Sequence, residues 1–229
     1  MPRKKKEEPK EEKPEPKKEE KKEIKKKPAF TFKIFDRWDA NVTVNDPGLQ
    51  AYINLSPVLV PYSAGRTVAK QFHKSKKSIV ERLMSKLYNA GHKGKKHWMT
   101  SGYNTGKIAT VYKITKKAFE IIEQRTKKNP IEVLVRAIEV GSPKEGIATI
   151  EYGGVRYPKA ADLAPQRRID LALRWITQGA FASSTAAKTK KAIWQTLADE
   201  IIATADNDQA KSNTIKKKIE LERQSGASR

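Results

Sequence analysis

KKAFEIIEQRTKKNPIEVLVRAIEVG, residues 116–141, decides the fold class. Ala118, Phe119, Ile121 and Ile122 recur at helical spacing as far as Thr126. Asn129 and Pro130 then form an N-cap and first-turn pair, and Ile131, Leu134, Val135 and Ile138 mark a second helix that stops at Gly141. Two amphipathic helices joined this tightly must pack as neighbours.

The same rhythm extends outward in both directions. Upstream, Ser78 and Glu81 have the spacing of a capping box, and Ile79, Val80, Leu83, Met84, Leu87 and Tyr88 follow as a core face, with Arg82 and Lys86 expected on the opposite, basic side. Downstream, IATIEYGGVRYPKAA predicts a hairpin near 146–160, because Gly153 and Gly154 can both take the positive φ of a two-residue primed turn. That turn sets Glu151 opposite Arg156 and Ile150 opposite Tyr157. The face of Ile150, Tyr152, Val155 and Tyr157 is expected to turn inward, since a lone ribbon is marginal in water. Pro165 opens another helix with Ile169, Ala172, Leu173, Ile176 and Ala180 as its stripe, and Ala192, Ile193, Leu197 and Ile201 mark the next. A C-terminal element, 213–229, carries Ile215, Ile219 and Glu222 on one side. The fold class is therefore mainly α, a bundle of about six helices with a protruding two-stranded β-ribbon.

Two segments depart from that rhythm. Phe30–Pro61 is aromatic and β-branched but interrupted by Asp46, Pro47, Gly48 and Pro57, which reads as extended chain with a short strand at Val42–Val44. Residues 1–27 alternate Lys and Glu blocks around prolines and bury almost nothing, so they are expected to be a disordered charged tail ahead of a domain spanning 28–229.

The charge narrows the function. The chain carries 48 Lys and Arg against 26 Asp and Glu, a net +22. The tail supplies only +5, so +17 belongs to the folded part. Between residues 66 and 107, eleven bases (Arg66, Lys70, Lys74, Lys76, Lys77, Arg82, Lys86, Lys93, Lys95, Lys96 and Lys107) face one acid, Glu81. A field so one-signed needs a polyanion, and nucleic acid is the natural partner. A basic amphipathic helix with large apolar residues opposite, a lipidation signal, a long apolar run and a signal peptide are all lacking, so no membrane partner is expected and the chain reads as soluble and unexported. The absence of cysteine removes disulfides, thiol catalysis and cysteine-ligated zinc.

Candidate chemistry gives way to binding. His92 and His97 are five apart in a glycine-rich loop, the wrong interval for a helical metal pair, so neither they nor His73 are expected to hold a metal, and no cofactor is called for. GYNTGK lacks the glycine spacing and the Ser or Thr of a phosphate-binding loop. Arg167 and Arg168 at a helix start oppose the helix dipole, a conflict that a bound phosphate would relieve, and Arg174, seven residues after Arg167, shares its outer side. Trp175 and Trp194 read as packing residues, whereas Trp98, amid Lys95, Lys96 and His97, is placed to stack on a base. An enzyme is not expected, for want of a convergent His, Asp and Glu set. A free nucleic-acid-binding protein, chromatin-like or mRNA-regulatory, remains the alternative.

YSAGRTVAKQFHKSKKSIVERL, GYNTGK, KAFEIIEQRTKKNPIEVLVRAIE, YGGVRYPKAADLAPQRRIDLAL and IKKKIELER, in that order, closely resemble the universal small-subunit ribosomal protein seven family. FKIFDRWDANVTVNDPGLQAYI and SAGR resemble its archaeal and eukaryotic branch. The resemblance implies a structural constituent of the cytoplasmic ribosome that binds the 3′ major (head) domain of small-subunit rRNA and nucleates head assembly. It also implies a place near the tRNA exit site and mRNA exit path, with exit-site tRNA, mRNA, proteins of the head and a neighbour of the small-subunit eleven family as partners. By position it assigns Arg66, Lys70, Lys74, Lys107, Arg167 and Arg168 to rRNA-facing blocks, and Lys76, Lys77, Lys93, Lys95, Lys96 and Arg174 join them on charge. Gly153, Gly154 and Arg156 fall on the ribbon tip, and Lys216, Lys217, Lys218 and Arg223 on the C-terminal element, toward tRNA and mRNA. Tyr103, Ile108 and Ala164 stand where the family often has Arg, Lys and Ser.

Overall fold

The computed structural model describes residues 32–91, 102–186 and 191–229. The expected tail, Lys93, Lys95, Lys96, His92, His97 and Trp98 lie outside the described residues. Along the chain come α1 (Pro47–Gln50), α2 (Ile79–Leu87), α3 (Ile108–Thr126), α4 (Pro130–Gly141), β1 (Glu145–Tyr152), β2 (Val155–Asp162), α5 (Pro165–Ala186), α6 (Ile193–Ala205) and α7 (Asn213–Ala227). The architecture is a helical bundle carrying a two-stranded antiparallel ribbon. Helix α6 is central and packs against α3, α4 and α5, which its apolar composition permits: Leu197, Ala198 and Ile201 are fully buried.

The α3–α4 joint forms as its residues predict. Lys127 takes a left-handed φ of 55° and its N–H closes on the Glu123 carbonyl at 2.8 Å, ending α3. The Asn129 side chain then accepts from the Ile131 N–H at 3.1 Å and Pro130 fills the first turn of α4, a cap of a kind commonly worth about 1 kcal/mol. Helix α3 starts at Ile108, two turns before the expected Lys116, because Val111, Ile114 and Thr115 already present a buried face.

The segment before α2 is not a strand. Val42–Val44 have no ladder partner among the described residues, and Val42 and Val44 lie half-buried along the core. Instead Ile34 and Trp38 close a tight turn, with the Ile34 N–H on the Trp38 carbonyl at 2.8 Å and positive φ at Phe35 and Asp36. The turn exists to bury aromatics: Phe35 and Trp38 meet Phe119 of α3 edge to face, with centroids 5.9 and 5.6 Å apart. A short helix, α1, capped by Asp46, sinks Leu49 into the core.

Two expectations about α2 are corrected. Ser78 occupies the N-cap but makes no capping bond, and Glu81 turns away to accept from the Ser63 N–H at 3.0 Å and hydroxyl at 2.6 Å. Arg82, expected on an outer basic face, is buried at 4% exposure. It is drawn inward by Asp170 of α5, a partner that no local periodicity reveals.

The ribbon has the expected register, Glu151 opposite Arg156 and Ile150 opposite Tyr157, with Gly153 and Gly154 at φ 59° and 80°. Its apolar face does not turn inward. Ile150, Val155 and Tyr157 are half-exposed, and Tyr152 is 81% exposed. Support comes at the base. The Ala160 N–H bonds the Ser228 carbonyl at 3.2 Å, the Ser225 hydroxyl meets Glu145 at 3.2 Å, and Arg229 pairs with Glu145. Gly146 lies under Leu163 so closely that a Cβ there would come within 2.9 Å of Cδ2.

Candidate nucleic-acid interface

Residues 64–77 hold five Lys or Arg and no acid, and their backbone is built to display them. Two 3₁₀ turns, Arg66–Val68 and His73–Lys76, are entered through left-handed residues, Gly65 at φ 76° and Phe72 at φ 63°. So short a helical turn has no core face, and Val68 and Phe72 stand in solvent at 73% and 66% exposure. Arg66, Lys70, Lys74 and Lys76 are exposed beside them.

The loop is nonetheless fixed, by α5. The Phe72 carbonyl accepts from the Ser75 N–H and the Ser75 hydroxyl, each at 3.1 Å, and from Gln166 Nε2 at 3.2 Å. Gln166 Nε2 also donates to the Ser75 hydroxyl at 2.7 Å. Lys74 pairs with Asp170, and Arg82 reaches the same carboxylate at 3.1 Å while its other nitrogen donates to the Tyr52 carbonyl at 3.1 Å. Lys86 completes the group at 4.0 Å.

The electrostatics record a surplus of positive charge. Burial alone would push the Asp170 carboxyl up, but hydrogen bonds from Lys74 and Arg82 and the charge of Lys86 hold it below the usual carboxylate range. Lys86 is lowered, first by burial and then by the fields of Arg174, Lys74 and Arg82, against the pull of Asp170. Arg167 and Arg174 extend the cluster along α5, and both are exposed. Together with Phe72, Lys74, Gln166 and Asp170 they line a cleft of about 300 Å³.

The residues singled out from sequence therefore divide. Brought together on one face are Lys74, Arg167 and Arg174, with Arg66, Lys70 and Lys76 exposed along the loop that runs into it. Lys77 is half-buried and leans on Glu81 at 3.8 Å. Lys107 lies elsewhere, its Nζ 3.8 Å from the centroid of the Tyr103 ring. Arg168 is turned into the protein: its guanidinium bonds Asp46 at 2.8 Å, the Pro143 carbonyl at 3.1 Å and Ser142 at 3.3 Å. At the ribbon tip Arg156 reaches Glu151 at 3.4 Å with both side chains largely exposed. On α7, Lys218 donates to the Val140 carbonyl at 2.7 Å and Lys217 to Gln178 at 3.1 Å, and burial lowers Lys217. Lys216 donates to the Ala210 carbonyl at 2.9 Å, and Arg223 is exposed.

Phe72, Gln166 and Asp170 carry no motif and were not among the residues that sequence reasoning selected. A phenylalanine set between Lys70 and Lys74 is the one signal that could have pointed to Phe72. Among the described residues no group of His, Asp and Glu could hold a metal ion, and no helix is long and apolar enough to cross a membrane.

Comparison with known proteins finds relatives along most of the chain. Residues 61–229 match the family model described as ribosomal protein S7p/S5e. The chain is 52% identical over 198 residues to small ribosomal subunit protein uS7 of Nanoarchaeum equitans, covering 86% of this chain and 98% of that one. It is 47% identical over 194 residues to the protein of the same name from Methanosphaera stadtmanae (84% and 96% covered) and 47% over 191 residues to that from Methanothermobacter thermautotrophicus (83% and 95% covered).

Proposed function

The chain belongs to the ribosomal protein S7p/S5e family, and on that premise we propose that it binds the 3′ major (head) domain of small-subunit rRNA through the face formed by residues 64–77 and α5. Membership makes it a structural constituent of the small ribosomal subunit rather than an enzyme, with a place in the cytoplasmic ribosome and with rRNA and other ribosomal proteins as its partners. The observation that carries the finer reading is the density of exposed cations on one braced surface: Arg66, Lys70, Lys74, Lys76, Arg167 and Arg174 beside a single neutralised carboxylate. Phosphates of a folded RNA are the counterions such a surface fits.

The rest of the proposal has separate supports. The exposed ribbon tip, Gly153, Gly154 and Arg156, and the α7 residues Lys216 and Arg223 lie toward exit-site tRNA and departing mRNA, beside the eleven-family neighbour. Early binding of the head domain nucleates its assembly. The division into a disordered charged tail, 1–27, and an rRNA-binding domain, 28–229, belongs to the same proposal. Lys107 adds charge at a second place on the domain, and Lys93, Lys95 and Lys96 join the proposed rRNA-binding set by their charge alone.

Chemical footprinting of small-subunit rRNA with and without the protein tests the reading. Protections confined to the 3′ major domain are expected, with the protein staying on small subunits through a high-salt wash. Protections scattered over all domains, or release at moderate salt, would favour a free nucleic-acid-binding protein and overturn it.

A further inference from the structure

The cleft between residues 72–74 and α5 contains a feature that phosphate binding alone does not explain. Phe72 is 66% exposed and sits at φ 63°, a conformation in which a bulky side chain is an outlier. Its carbonyl is held there by three donors, two from Ser75 and one from Gln166, so the surrounding structure over-determines the unusual backbone. An exposed aromatic on a fixed backbone is a platform whose backbone entropy has already been lost. Around it stand Lys74, Arg167 and Arg174, with Arg82 and Lys86 behind them, against the one carboxylate of Asp170. The cleft's volume of about 300 Å³ is of the order of one nucleotide.

We propose that this cleft captures a single unpaired nucleotide of the bound RNA, its base stacked on Phe72 and its phosphate held by Arg167, Arg174 and Lys74. The inference rests on the rRNA reading and deepens it. The loop then recognises an extruded base rather than the backbone of a continuous duplex, whose bases are stacked inside and cannot reach an aromatic face. An apolar protein partner is the less favoured occupant, because three cations line the cleft against one acid and would stay uncompensated under a greasy surface. Stacking is tolerant of base identity, so the site selects for an unpaired position and not for a sequence.

The test uses the full chain and a transcript of the head domain, with filter binding over a salt series and ultraviolet cross-linking read by mass spectrometry. Phe72→Leu, which keeps apolar bulk but loses the π-face, is expected to weaken binding about tenfold without changing the salt slope. Phe72→Tyr is expected to bind as the wild type does. A cross-link is expected from the 70–74 peptide to a nucleotide that is unpaired in the free transcript. Equal binding by the Leu variant, or a cross-link only to paired nucleotides, overturns the inference while leaving the rRNA reading intact. A wild-type chain that fails to bind the transcript overturns both. Circular dichroism of each variant, with an unchanged helical signal, excludes unfolding as the cause of a loss.

Discussion

The loop at 64–77 and the ribbon at 145–162 are both exposed and both aromatic, yet they are opposites in charge and in how they are held. The loop has five bases and no acid, whereas the ribbon has Arg156 and Lys159 against Glu145, Glu151 and Asp162. The loop is braced at residues 72–75 by Gln166 and Asp170 of α5, but among the described residues the ribbon is tied at its base, to residues 225–229. The difference separates two kinds of contact. Phosphate attraction is long-ranged and diminishes with salt, while a near-neutral surface of Ile150, Tyr152, Val155 and Tyr157 can act only where shape and stacking fit. On the proposed rRNA reading, one region would supply affinity and the other position.

The largest expected effect removes the brace. Arg82→Ala leaves Asp170 short of its buried partner and the Tyr52 carbonyl without its donor, a loss of about 3 kcal/mol in urea unfolding. The same change should open 70–77 to proteolysis and leave the ribbon as resistant as before, and equal sensitivity of both would break the comparison. Acid sharpens it. The carboxyl of Asp170 is lowered in the folded state, so its contribution is present above the unfolded value of about 3.9 and is lost as pH falls through the folded value. Asp170→Asn should flatten that acid limb of the stability curve.

Next in size is the response to salt. Replacing Arg167 and Arg174 together by Ala should lower the slope of log affinity against log salt by about 1.4 to 1.8. Removing residues 151–156 should leave that slope alone. Shortening the ribbon is instead expected to leave small subunits assembled, with the protein incorporated, while exit-site tRNA retention or reading-frame maintenance changes in a reporter. Failed incorporation would make the ribbon an assembly element, and normal frame maintenance would remove its role. The smallest effect is expected from deleting residues 1–27, which carry +5 of the +22. A loss of affinity larger than that of the Arg167 and Arg174 pair would put the site in the wrong half of the chain.

Sequence reading succeeded where the controlling interactions are local. Gly153–Gly154 set the hairpin register, Asn129–Pro130 set the start of α4, and the stripe from Ile169 to Ala180 set the buried side of α5. It failed where a partner far along the chain decided the outcome. Arg82 has the spacing of a surface residue until Asp170, eighty-eight positions away, draws it inward. Glu81 has the spacing of a capping residue until Ser63 competes for it. Arg168 was selected with Arg167 because adjacent charges look alike in a string, but a helix turns by about 100° per residue. That rotation aims one guanidinium at Asp46 and leaves its neighbour in solvent.

The tie between the ribbon and α7 also imposes an order on synthesis. Glu145 meets Ser225, eighty residues later. At the usual pace of about 5 to 20 residues per second, that interval is about 4 to 16 s. Throughout it the hairpin has its turn and its ladder but no anchor, and an unanchored two-stranded ribbon is barely stable. Aromatic strand edges are then open to any nascent neighbour on the same message. The clasp of Ser225, Ser228 and Arg229 is therefore a closing step, by which the arrival of α7 converts a wandering hairpin into a fixed arm.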